Sequence, residues 1–133
     1  MAKRVPYTSM TMKWLRETQE CSHVGVVERW QAQSMRRIDL FGIIDLVALR
    51  GTDLIGVQTT SMACGPDHHV KIVASDSAIP WCETGALLWL VCWRKLAVKN
   101  KDGSTAKVRR WKPHVREYDA QTLRDSTARV LIK

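Results

Sequence analysis

The chain has 133 residues, 45% hydrophobic and 26% charged, enough for one globular domain with its own core. Its formal net charge of +8 makes a polyanion the macromolecular partner that composition favours. No apolar run is long enough to span a membrane. The four cysteines lack CxxC spacing and read as reduced thiols of a cytoplasmic protein, and MAKRVPYTSM is basic without the apolar stretch of a secretory signal.

Residues 8–20 read as a helix. Thr8 or Ser9 caps its start, and Met10, Met12, Trp14 and Leu15 supply an approximate apolar stripe. Glu17 and Glu20 lie on the same helix. His23 to Trp30 reads as a first strand, with Val24, Val26 and Glu28 on one face. Residues 31–38 form a polar connection ending in Arg36 and Arg37, an arginine pair suited to a phosphate backbone. Asp39 follows, and Gly42 permits a bend.

The centre of the chain is a hairpin. Ile43 to Leu49 is apolar except for Asp45, Arg50-Gly51-Thr52-Asp53 is a turn signal, and Leu54 to Thr60 is a second β-rich run. A turn symmetric about Gly51-Thr52 sets Asp45 opposite Gln58 and Ile43 opposite Thr60. Asp45, Gln58 and Thr60 then share one face, provided no bulge intervenes. A carboxylate in such a strand needs a partner, a metal or a shifted pKa. If strand parity persists backwards, Asp39 faces the same way as Asp45.

Met62 to Pro66 is a break. Asp67 is a helix cap, and Val70, Val73 and Ala74 recur at helical spacing with Lys71 beside them. Cys64, His68 and His69 lie close together, in a spacing that fits no standard zinc ligand pair. Pro80 ends the helix, and Trp81 to Thr84 makes a short turn closed by Gly85. Ala86 to Trp93 is a buried strand. Asp102-Gly103 turns it into a return strand, Lys107 to Lys112, stopped by Pro113. This second hairpin carries Arg94, Lys95, Lys99, Lys101, Lys107, Arg109, Arg110 and Lys112. Trp93 and Trp111 interleave with the charge, a pattern suited to phosphate contact with base stacking. Tyr118 to Lys133 reads as a terminal helix or tail.

The run VERW…RRIDLFGIIDLVAL…IGVQTTS…LLWLVCWRK…RRWKP resembles the PD-(D/E)xK nuclease superfamily, and within it small phage and prophage proteins related to Holliday-junction resolvases. The resemblance covers roughly residues 9–118. It implies a single α/β domain, a central mixed sheet flanked by helices, with residues 119–133 as an appendage. It also implies Mg²⁺- or Mn²⁺-dependent cleavage of DNA, often by a two-fold homodimer. On this resemblance Asp45 matches the motif's aspartate. Gln58 stands where the superfamily has Glu or Asp, and Thr60 where it has Lys. The implied metal ligands are Asp45, the Gln58 side-chain carbonyl and the Thr59 backbone carbonyl. Glu28 supports the metal site, and Lys71 replaces the missing strand lysine. An acid on the first helix reaches the metal in many relatives, which singles out Glu17 and Glu20. The implied DNA contacts are Arg36, Arg37, Arg94, Lys95, Arg109, Arg110 and Lys112.

Gln58 and Thr60 leave two functions open: a nuclease with a weakened metal site, or a DNA-binding module that keeps the fold without catalysis. An accessory protein that docks on another protein is a third, and exposure of several of the six tryptophans would mark it.

Overall fold

Period-two alternation in the central strands sets the layers of the molecule. The computed structural model describes residues 5–133; residues 1–4, the start of the basic segment, lie outside it. In chain order the elements are α1 (Tyr7–Glu17), β1 (His23–Val26), β2 (Arg29–Gln31), β3 (Arg36–Ile38), β4 (Leu46–Arg50) and β5 (Asp53–Ser61). Then follow α2 (Gly65–Ala74), α3 (Ala78–Glu83), β6 (Leu87–Lys99), β7 (Thr105–Tyr118), α4 (Ala120–Arg124) and β8 (Arg129–Ile132). Six strands form one mixed sheet in the order β1-β4-β5-β6-β7-β8, with β5 and β6 parallel and every other neighbour antiparallel. The parallel step is the crossover through α2 and α3. Strands β2 and β3 form a separate small hairpin.

Each face of the sheet buries its own core. Leu46, Ala48, Ile55, Val57, Trp89 and Val91 point to the face covered by Trp14 and Leu15 of α1. Leu88, Leu90 and Cys92 point to the other, where Ile72, Ala78 and Leu123 bring in α2, α3 and α4. The domain is therefore α/β, a mixed sheet with helices on both faces. No helix among the described residues is long and apolar enough to cross a membrane.

The central hairpin has the register read from its turn: Leu46 pairs with Val57, and Arg50 with Asp53. Its first strand starts at Leu46, because residues 39–45 close a turn of their own. The strand expected over 23–30 is two strands separated at Val27 and Glu28, and the expected polar connection over 31–38 contains the end of β2, a turn at residues 32–35 and the whole of β3. Helix α2 begins at Gly65, so Asp67 lies inside its first turn rather than at the cap. Val70 is exposed, and Ile72 is the residue that seats α2 on the sheet.

Two prolines expected to end elements do not. Pro80 sits in the first turn of α3, where its missing N–H is not needed. Pro113 lies within β7, opposite Trp93. The Trp93 carbonyl accepts from the Met62 N–H on the β5 side, so Trp93 and Pro113 form a non-hydrogen-bonded pair. The missing donor of Pro113 therefore points to the side that β8, paired only with Val115 to Glu117, does not reach. The chain end is ordered as α4, with an Asp119–Thr122 capping box, followed by the edge strand β8.

A buried hydroxyl ties α1 to the sheet. Thr11 is fully buried, and its Oγ1 donates to the Tyr7 carbonyl at 2.7 Å. That commits its single proton, so it accepts from Trp93 Nε1 at 2.9 Å and from Thr59 Oγ1 at 2.7 Å. Thr11→Val keeps the shape and strands two buried donors. It should lower unfolding free energy by about 2–3 kcal/mol in urea denaturation. A loss below about 0.5 kcal/mol would show that the network adds nothing net.

A carboxylate cluster in an open cavity

The turn at residues 39–45 builds the site. Leu40 and Ile44 bridge each other, with reciprocal backbone hydrogen bonds of 2.9 and 3.0 Å. Between them Phe41 and Gly42 both take left-handed backbone, φ 54° and 76°. Glycine does this freely, while phenylalanine gives up about 1 kcal/mol. One step outward from the bridge, Asp39 and Asp45 stand across from each other. Their proximity comes from this fold-back, not from parity along one strand as the sequence suggested.

Asp45 is held on three sides. Its N–H donates to the Val57 carbonyl and its carbonyl accepts from the Val27 N–H, both at 2.9 Å. Its Oδ2 accepts from Gln58 Nε2 at 2.7 Å and from the Thr59 N–H at 3.1 Å. The Thr59 contact is thus its backbone N–H, and its hydroxyl turns to Thr11. Glu28, in the break between β1 and β2, completes the group. Carboxylate oxygens of Glu28, Asp39 and Asp45 all lie within 4.8 Å of one another.

Cations flank the cluster. Arg37 Nη1 meets Glu28 Oε1 at 2.9 Å, and Lys71 Nζ meets Asp39 Oδ2 at 3.2 Å. Burial pushes the Asp45 carboxyl up to about 8, and the hydrogen bond to Asp39 and the charges of Asp39 and Glu28 push the same way. For Asp39, burial alone would raise the pKa. The hydrogen bond from Asp45 and the charge of Lys71 outweigh it and hold Asp39 below the usual range. Burial thus favours the protonated form of Asp45, and Lys71 the ionised form of Asp39.

The cluster lies in an open cavity of about 930 Å³. Its walls include Tyr7, Thr8 and Ser9 from the start of α1, Trp30, Arg36 and Arg37 from the β2–β3 hairpin, Thr60 and Ser61 from β5, and Cys64 and His68. Thr60 is part-exposed there. Glu17 is the last residue of α1, Glu20 lies beyond the helix instead of on it, and neither lines the cavity. His69 leaves Cys64 and His68 to stack on Tyr118 at 5.7 Å between centroids, with Nδ1 2.8 Å from its hydroxyl.

Three hard carboxylate donors in one cavity suit a divalent cation. Gln58 supports the fit. It is 2% exposed, its amide nitrogen is committed to Asp45, and its Oε1 is buried without a partner. The cluster can hold a metal ion.

The basic β6–β7 hairpin divides its charge. By register, Arg94, Arg110 and Lys112 share the face of His114, while Lys95 and Arg109 share the opposite face with Trp111. Trp93 is buried. Trp111 packs edge-on against Tyr7 and under the Lys95 ammonium, 5.0 Å from its ring. Neither ring is a free stacking platform. Among the six tryptophans Trp30 stands out, 58% exposed.

No family model, curated protein or solved structure matches this chain.

The raised pKa of Asp45 carries a sign that can be tested in metal-free protein. The folded state holds this proton more tightly than the unfolded chain, so the stability it contributes is full below about pH 4. It is lost as pH climbs towards about 8. Asp45→Asn has no proton to lose. Thermal melts should find the two proteins similar near pH 4, with the variant becoming progressively more stable than wild type as pH rises towards 8. A constant difference across that range would refute the assignment.

Proposed function

We propose that the protein is a metal-dependent endonuclease that hydrolyses phosphodiester bonds in DNA, of the PD-(D/E)xK type that its sequence resembles. The observation that carries this reading is the carboxylate cluster of Glu28, Asp39 and Asp45, open to a cavity that arginines line in a chain of net charge +8. Mg²⁺ or Mn²⁺ would be held by these carboxylates, with Gln58 Oε1 as a neutral donor. When bound, the ion supplies positive charge to the phosphate and acidity to an attacking water.

The chain's own residues supply the rest. Arg36 and Arg37 at the cavity wall bind the phosphate backbone, and Arg37 also fixes Glu28. Lys71 reaches the cluster through its ion pair with Asp39, 3.2 Å from Oδ2. It takes the part of the strand lysine that Thr60 cannot play, stabilising negative charge as it develops on the phosphate. Gln58 and the Thr59 N–H orient Asp45 and keep one of its oxygens fixed.

The replacement of an acid by Gln58 and of a lysine by Thr60 favours a second reading, a DNA-binding module without catalysis. Labelled single-stranded, duplex and four-way-junction DNA, incubated over a Mg²⁺ and Mn²⁺ series, separates the two. Metal-dependent cutting is expected, reduced about 10²–10³-fold in Asp45→Asn and by a similar order in Lys71→Met. Cutting that survives Asp45→Asn sinks this site. Binding without cutting at any metal concentration leaves the module.

Metal affinity should also report the Asp45 proton, because the carboxylate must lose it to become a ligand. By calorimetry, the Mn²⁺ dissociation constant should fall about tenfold per pH unit between pH 6 and 8, then level off. An affinity independent of pH in that range would place the ion elsewhere.

A further inference from the structure

The β2–β3 hairpin has no role in either core. It pairs three residues with three, joins no other strand, and belongs to neither hydrophobic cluster. Such a ribbon is marginal by itself. Yet it carries the most exposed tryptophan of the chain, Trp30, directly across from Arg37. Residues opposite each other on antiparallel strands project to the same face. Trp30, Arg36 and Arg37 all line the cavity of the carboxylate cluster.

An exposed indole is a poor use of a large apolar ring unless something covers it. The cavity limits what that can be. Its volume of about 930 Å³ has room for nucleotides and not for a folded partner. Its arginines select a ligand with phosphates. A ligand that brings flat aromatic faces and phosphates together is a nucleic acid strand. In duplex DNA the base faces are covered by their neighbours, so an indole gains a face only from a base that is out of the stack.

We infer that Trp30 is a stacking platform for an unpaired base, and that the preferred substrate is DNA with a single-stranded segment at the cleaved position. This rests on the nuclease reading for the meaning of the cluster, but the contact itself is a binding property. Arg37, directly across from the ring, meets Glu28 of the cluster at 2.9 Å, so the platform stands beside the carboxylates. A base on Trp30 then sets the distance from its own backbone to the cluster.

The test measures binding in EDTA, where metal-dependent cutting is absent, by fluorescence anisotropy of a labelled oligo-dT strand and of a duplex of equal length. Wild type, Trp30→Ala and Trp30→Phe are compared. Trp30 is exposed, so unchanged thermal midpoints are expected and serve as the folding control. The strand should bind Trp30→Ala about 5- to 100-fold more weakly, and Trp30→Phe should keep most of the affinity. Duplex affinity should change by less than about twofold, since phosphate contacts are retained. An equal loss on strand and duplex, or no loss on the strand, overturns the inference. A wild-type protein that binds neither DNA overturns it together with the nuclease reading. Trp30-dependent strand binding without metal-dependent cutting leaves the inference standing and removes the enzyme. Metal-dependent cutting without any dependence of binding on Trp30 does the reverse.

Discussion

Three carboxylates repel one another at short range, and gathering them within 4.8 Å demands compensation from the rest of the fold. At about 4 Å each like-charge pair is worth about 1 kcal/mol in water and about 4 kcal/mol near a protein surface. Arg37 answers Glu28, Lys71 answers Asp39, and a proton answers Asp45. These come from β3, α2 and solvent respectively, so the hairpin, the crossover helix and the pH all converge on one small volume. A cation delivered to the same place would replace the proton, since both act on the same electrostatic deficit.

The frame around the cluster is correspondingly rigid. Asp45 is bonded through its backbone to both neighbouring strands, and its side chain is gripped by β5. Behind it, Thr59 reaches through the sheet to Thr11 and hence to Trp93. That network couples the position of α1, whose first turn forms a cavity wall, to the strand that orients Asp45. The left-handed Phe41 and the unpartnered Gln58 oxygen are local costs in the same few residues. Strain and unsatisfied polar atoms concentrated at one point are what a site looks like when the fold holds groups ready for something else.

Charge outside the cluster is arranged less simply than its abundance suggests. The β6–β7 hairpin is strongly basic, but alternation sends its side chains to two faces, and packing on Tyr7 takes Trp111 out of use. The small β2–β3 hairpin, with fewer charges, stands at the cavity itself. Position relative to the cluster, not charge density, makes it the stronger candidate for contact with a polyanion.

The local features were legible in the order of residues. Gly51-Thr52 and period-two alternation set Asp45 opposite Gln58, and that register is present. The sheet class followed from strand and helix order, and the basic hairpin from Asp102-Gly103. These depend on neighbours a few residues apart, where turn chemistry and backbone geometry suffice. That Asp39 meets Asp45 through a left-handed turn at Phe41 and Gly42 emerges from the folded chain, since its one trace in the sequence is a glycine. Folding also determines that Glu28 joins them from the break between β1 and β2, that Lys71 is drawn in by Asp39, and that Trp93 is buried while Trp30 is exposed. Which face of a strand a helix covers, and which carboxylates are left to share a cavity, depends on packing between distant segments. No local pattern of residues encodes that choice, because the burial that drives it exists only once the layers have assembled.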